Sequence, residues 1–392
     1  MTIRACVLGL SIVATGLLGI GACGGSSAGG VAADAGPGPA PISVEAGPDA
    51  PPPCDPSLLT CSGVCIDPKI DSKNCGSCGV VCGPDTTCSL GKCQQSTTFA
   101  VQTIHLGEAD RQGVKNKDGW KSYGENIDGL VTSMTNTTSP DLALVCKRAA
   151  GAPSTVHDDG TDGIDNTWGK EMMKLLDPFT PVPSKNQSDQ IAQGGMTALV
   201  TINGYKQGVN ATGLSGSVTF SVPTTVPAPK WDGADVRKVD ERWTKSGTPV
   251  ITFTNGTMTD GKFDSGVATV DVPFQLTFGD GVSVPMKHLR VRMTISGDGI
   301  HATEGIFSGF VVTEDMVTAI KKYAGYVSTD LCSGSTVESI AQSVRQSSDL
   351  VKTGTQDPAV DCDAISVGLG FEATRVVLGG IAPSAQPVDP CK

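Results

Sequence analysis

From residue 97 onward, apolar and polar residues alternate over several stretches, the period of a half-buried strand. Val270, Val272, Phe274, Leu276 and Phe278 alternate with Thr269, Asp271, Pro273, Gln275 and Thr277. Pro273 favours an edge position there, because proline has no N–H to give a ladder. Asp280-Gly281 is a turn signal, and Leu289, Val291, Met293 and Ile295 alternate after it. Val284 and Met286 sit on the other parity, which predicts a bulge near Lys287 and His288. Val218, Phe220 and Val222 alternate, as do Ile365, Val367, Leu369, Phe371 and Ala373. Asn255-Gly256 and Asp260-Gly261 predict hairpin turns. Helical spacing is rarer. Thr313 reads as the cap of a helix with Met316, Val317, Ile320 and Tyr323 on one face, ending before Gly325. Val337, Ile340, Val344 and Val351 predict a helix from near Ser335, and residues 168–176 a short one. Strands dominate and helices are inserted, so residues 97–392 read as a β-rich, sandwich-like α+β domain.

The amino terminus has a different pattern. Arg4 is followed by an apolar stretch over residues 7–20, too short and glycine-rich for a spanning helix. It ends Ile20-Gly21-Ala22-Cys23, which resembles the lipobox of bacterial lipoprotein precursors. That resemblance implies a signal peptide over 1–22 and a diacylglycerol on the sulfur of Cys23. Gly24 is not the Asp that retains enteric-type lipoproteins in the inner membrane, so an outer-membrane or surface location is implied. Residues 23–53 are nearly all Gly, Ala, Pro and Ser and cannot bury a face. They predict an acyl-anchored tether with a coil-like reach of roughly 30 Å.

Residues 54–93 carry Cys54, Cys61, Cys65, Cys75, Cys78, Cys82, Cys88 and Cys93 among glycines and prolines. So few apolar residues need covalent staples, and four disulfides supply them. The pairing stays open. Zinc at Cys75-Gly-Ser-Cys78 is the weaker reading, since the stretch has no histidine. Cys61-Ser-Gly-Val-Cys65-Ile-Asp67, Asp71-Ser-Lys-Asn74-Cys75-Gly76-Ser-Cys78-Gly79, Cys82, Cys88 and Gly91-Lys-Cys93 resemble a stigma-specific-protein-type cysteine-rich module. Such modules also resemble those of exported myxobacterial lipoproteins; they imply extracellular life and no chemistry. The stretches Gly119–Asn166 and Cys362–Ala373 are similar to uncharacterised exported proteins of the same bacterial group. Cys146, Cys332, Cys362 and Cys391 allow three pairings; sequence proximity and pinning of the carboxyl terminus favour Cys332 with Cys362 and Cys146 with Cys391.

The net charge of −11 argues against nucleic acid and anionic membrane surfaces as partners. The sharpest candidate for chemistry is the acidic loop from His157 to Asn166. Asp158, Asp162, Asp165 and Asn166, with Asp128 as a second arm, are the ligand types calcium takes. The EF-hand pattern does not fit, because its twelfth position would be Gly169. The competing reading is a turn in which Asp165 or Asn166 caps the following helix. His105, His157, His288 and His301 are scattered and offer no tight metal pair. Trp120, Trp168, Trp231 and Trp243 read first as core and second as a sugar-stacking platform. GxSxG at Gly25–Gly29 and GxGxxG at Gly19–Gly24 fall in the tether and the leader, where neither fold context can form.

The expectation is a lipid-anchored cell-envelope protein, a non-catalytic binding or adhesion module for a glycan or protein, with calcium as a structural ion. The alternatives are a calcium-dependent extracellular hydrolase and a purely structural envelope protein.

Overall fold

The computed structural model describes residues 54, 58–69, 71–83, 86–89, 91–134, 140–177, 182–224, 227–245, 247–268, 274–278, 282–384 and 388–391. The leader 1–22, the tether 23–53 with Cys23, and Val270, Val272, Pro273 and Asp280-Gly281 lie outside them.

The strands are β1 (Leu59–Cys61), β2 (Val64–Ile66), β3 (Thr86–Ser89), β4 (Lys92–His105), β5 (Ala198–Asn203), β6 (Ala211–Phe220), β7 (Val236–Asp240), β8 (Thr244–Lys245), β9 (Thr248–Pro249), β10 (Ile251–Thr259), β11 (Lys262–Asp264), β12 (Phe274–Phe278), β13 (Val282–Ile295), β14 (His301–Val312) and β15 (Ala364–Ala382). The α-helices are α1 (Met173–Leu176), α2 (Pro183–Ala192), α3 (Thr313–Val327) and α4 (Ser335–Arg345).

Eight strands, β4, β5, β6, β10, β11, β13, β14 and β15, pair antiparallel in chain order, and β15 returns to pair with β4. The sheet therefore closes into an up-and-down barrel rather than the expected sandwich. Alternation along a strand is the same in both. What decides is whether the first and last strands of the meander meet, and closure removes their exposed edges. Strand β4 pairs from Thr98 to His105 with β15 from Val376 to Gly370. Val200, Ile202, Val218, Phe253, Met293 and Leu369 fill the core, and Phe307 stacks on Phe371 at 4.4 Å between ring centres. The alternating set Ile365, Val367, Leu369, Phe371 and Ala373 all lies in this core, as the pattern predicts.

The bulge is where the parity change puts it. The β13–β14 register shifts between Lys287 and Arg290, and His288 takes a φ of 53°. Val284 and Met286 before it and Leu289, Val291, Met293 and Ile295 after it are all buried. Asp260-Gly261 is the turn of the β10–β11 hairpin, with both φ values positive, as a mirror-type turn requires. Asn255-Gly256 is not a turn. It lies inside β10 at a register shift, where Gly256 faces Leu214 on β6. Strand β12 pairs only with β13 among the described residues, an edge position.

Helix α3 buries Met316 and Val317 against β13 and β14, and α4 packs on it. Three details differ from expectation. Thr313 does not cap the helix; its hydroxyl is bonded to Ser348 Oγ at 2.7 Å. Tyr323 is exposed. The helix also runs past Gly325, whose missing side chain makes room for Cys391, 2.4 Å from where a Cβ would stand.

All twelve described cysteines are paired. The module holds Cys54–Cys65, Cys61–Cys78, Cys75–Cys88 and Cys82–Cys93. The large domain holds Cys146–Cys362 and Cys332–Cys391, which corrects the expected pairing. Proximity in sequence misled, because Cys362 leads into β15 under the Cys146 loop while the carboxyl terminus folds back onto α3. The module and the barrel share a strand. Strand β4 begins inside the module and runs on into the barrel, and both belong to one unit, Pro53–Lys392.

Candidate functional site

The acidic loop folds as a tie between the coat of the barrel and the barrel wall. Asp165 is buried, and its carboxylate accepts N–H bonds from Ile127 at 2.6 Å and Asp128 at 3.3 Å. Asp128 accepts from Leu130 N and Gln356 Nε2, both at 2.8 Å. Asp158 accepts from Met134 N and Asp159 from Thr132 N. Asp162 stands exposed at a φ of 56°. Asn166 is 2 % exposed and spends its whole amide on backbone. It donates to Trp120 O, Tyr123 O and Gly368 O, and accepts from Gly169 N and Gly368 N. The bond to Gly169 N caps the turn that starts at Trp168.

Burial pushes the carboxyl of Asp159 up to about 7, with the Asp128 charge adding to it. Asp165 is also raised well above the ordinary carboxyl range, by burial first and then by Asp128 and Asp159. Asp349, buried beside Ser366, is raised to about 6 by burial. The buried Lys170 ammonium donates to Val156 O at 2.9 Å and Asp158 O at 2.5 Å. Thus Asp128, Asp159 and Asp165 are brought near one another, while Asp162 and Asn166 point elsewhere. Among the described residues, the groups whose ligand atoms converge are Cys75, Cys82 and Cys93, and Cys146, His157 and Cys362. Every cysteine in both is already bridged to another.

A different place has the form of a binding site. The outer faces of β5, β6 and β10 carry Thr201 and Asn203, then Ser215, Ser217 and Thr219, then Thr252 and Thr254. Their apolar neighbours Val200, Ile202, Val218, Ile251 and Phe253 belong to the core, so the hydroxyls follow from strand parity. Register aligns them across strands: Thr201 faces Ser217, and Ser217 faces Thr252. Asn203 faces Ser215 and donates to its hydroxyl at 3.3 Å. Gly216 stands between Ser215 and Ser217, where a Cβ would lie 2.0 Å from Thr201 O and 2.3 Å from the Phe253 ring.

Two walls turn the floor into a cleft of about 540 Å³. The module supplies Asp71, Ser72, Lys73 and Cys88. That loop is set by its own bonds: Lys73 N donates to Asp71 Oδ1 at 2.7 Å, and Cys88 N to Ser72 Oγ at 3.0 Å. The opposite wall comes from the tail of β15, which leaves the barrel and pairs parallel with β7. It contributes Leu378, Gly380 and Ile381, beside Val239 and Pro249. Leu378 and Ile381 are exposed. A space of this size that joins apolar surface to polar groups falls in the range of small-ligand sites.

With that geometry in view, the module can be placed. The Stigma-specific STIG1-like protein family matches residues 51–96. No curated protein and no solved structure matches the chain. The matched stretch is the disulfide-rich part that forms the module wall of the cleft, and the barrel lies outside it.

Of the cleft residues, only Asp71, Ser72, Lys73 and Cys88 stand out in the sequence, as part of the cysteine-rich pattern; the floor does not. The signal was present as serine and threonine on the off-parity positions of β5, β6 and β10, but it needs the pairing of three distant strands to become a surface. Three of the four tryptophans, Trp120, Trp168 and Trp243, are buried. Of the histidines, His105 and His157 are buried, and burial lowers both to about 4.

Proposed function

We propose that the protein is an exported, lipid-anchored binding protein of the cell envelope, and that it holds a hydroxyl-bearing ligand, a glycan, in the cleft between the cysteine-rich module and the barrel. The observation that carries this reading is the floor of aligned hydroxyls. Each serine or threonine hydroxyl can donate or accept, so a row of them matches the ring hydroxyls of a saccharide in more than one register. Leu378 and Ile381 offer the apolar surface on which the C–H face of a sugar rests. The lining favours holding over turnover. Among the described residues it has one carboxylate, Asp71, and no histidine, whereas glycoside hydrolysis uses a pair of carboxyl groups. Disulfides in both parts suit an oxidising location outside the cytoplasm. The anchor at Cys23 and the outer-membrane or surface location rest on the lipobox resemblance, and kinship with exported myxobacterial lipoproteins on the pattern of module and tether.

The test is binding of the full-length protein to an array of bacterial envelope glycans, beside Ser217→Arg. The variant fills the floor from its centre. Saturable binding that the variant loses at unchanged melting temperature supports the reading. A wild-type protein that binds no glycan, or a variant that binds equally well, overturns it.

A further inference from the structure

Arg237 lies on β7 and is 0 % exposed. Arginine is rarely buried without a carboxylate, because an unpaired charge loses its hydration and gains little in return. Its Nη1 donates to two backbone carbonyls, Gly194 O at 3.3 Å and Gly195 O at 3.5 Å. Among the described residues, its Nε and Nη2 have no hydrogen-bond partner. These two nitrogens form one edge of the planar fork, the edge that a carboxylate or phosphate bridges with two oxygens.

One face of the guanidinium is covered. The Trp231 ring covers the guanidinium, with Cζ 5.1 Å from the ring centre. Trp231 sits at a φ of +56°, in the left-handed region that a bulky side chain avoids. It is held there by Asp235, which accepts Lys230 N at 2.9 Å and Trp231 N at 2.6 Å, and by its own Nε1 donating to Ala192 O at 3.1 Å. Asp235 is the acidic group that acts on Arg237, and its oxygens are taken by those two amides. A second cation, Arg375, lies against Gly233 of the same loop. Residues held in such strained conformations cluster at active sites and ligand clamps. Burial holds the Arg237 guanidinium below its ordinary proton affinity, with Asp235 opposing. Arginine stays charged through such shifts, so the need for an anion remains.

We propose that the Nε–Nη2 edge of Arg237 anchors a binding site for an oxyanion, the carboxylate or phosphate group of a small ligand, which enters beside Trp231. The site is separate in chemistry from the hydroxyl cleft and does not rest on the glycan reading. Trp231 is its door and its reporter: it is the one tryptophan of the four that is not buried.

The experiment titrates the purified full-length protein with sodium acetate or inorganic phosphate, holding ionic strength constant with sodium chloride. Tryptophan emission and melting temperature are read together. The expected result is a saturable emission change and a rise in melting temperature of about 2 °C at ten times the dissociation constant. Response to acetate alone identifies a carboxylate, to phosphate alone a phosphate; either supports the site. Arg237→Gln should abolish both signals. Trp231→Phe, which keeps a ring over the guanidinium, should lose the emission change and keep the thermal shift, so the test does not depend on the arginine variant folding. Wild-type protein that behaves with both oxyanions as it does with chloride overturns the proposal and assigns the two N–H groups to water.

Discussion

Asn166→Asp separates a structural amide from a metal ligand. Asn166 Nδ2 is within 2.8–3.2 Å of three carbonyl oxygens, those of Tyr123, Gly368 and Trp120. Aspartate puts an oxygen there instead. Two N–H donors, shared among the three carbonyls, are lost at about 1 kcal/mol net each, and a buried carboxylate then faces carbonyl dipoles. The side chain takes up a proton to donate to one carbonyl, which recovers part of the loss. A cost of about 4 kcal/mol remains. For a folded unit of roughly 330 residues the unfolding entropy is about 0.7 kcal/mol per degree, so the melting temperature falls by about 6 °C. Asn166→Ala should fall by a similar amount, because it leaves the N–H groups of Gly169 and Gly368 unsatisfied. Thermal melts with millimolar calcium and with chelator read the outcome. A calcium ligand would accept aspartate as well as asparagine. An Asn166→Asp protein that melts with wild type, or that calcium restores, refutes the reasoning.

Further outcomes follow from the structure and, for Cys23, from the lipobox resemblance. Folded Asp159 keeps its proton up to about pH 7, whereas the unfolded chain releases it near 3.8. Its contribution is therefore full at low pH and is lost as pH rises through 7, so Asp159→Asn should gain on the order of 2–4 kcal/mol over wild type at pH 8 and little at pH 4; denaturant melts at the two pH values check it, and an equal effect at both contradicts it. His105 and His157 act in the opposite sense, stabilising above their unfolded value of 6.5 and losing that contribution as pH falls through about 4. Removing Cys146–Cys362 by a double alanine substitution opens a loop of 216 residues and should cost about 5 kcal/mol, while peptide mapping of the native protein should find this bridge and Cys332–Cys391. Cys23→Ser should release the protein from membranes, and unchanged partitioning in detergent would exclude the anchor.

What was legible in the sequence was local. The bulge at Lys287 and His288, the Asp260-Gly261 turn and the core face of β15 each follow from parity within one segment. What was not legible depends on partners far apart in the chain. Closure of the barrel needs β4 to meet β15, some 270 residues later. The correct disulfides need Cys146 to reach Cys362. The acidic loop drew attention because its carboxylates cluster in sequence, yet Asn166 turned its amide to backbone more than 200 residues away. The floor of the cleft was invisible for the converse reason: serine and threonine on a strand read as ordinary polar partners until register brings Thr201, Ser217 and Thr252 into one row.

The central claim, that the cleft between module and barrel is where the ligand is held, is tested most directly by amide hydrogen exchange with and without a glycan from the array. A ligand held there adds protection at once in three distant segments, residues 71–73 of the module, 215–219 of β6 and the tail of β15 near Leu378. Protection confined to the module, to the acidic loop or to any surface away from these segments would contradict it.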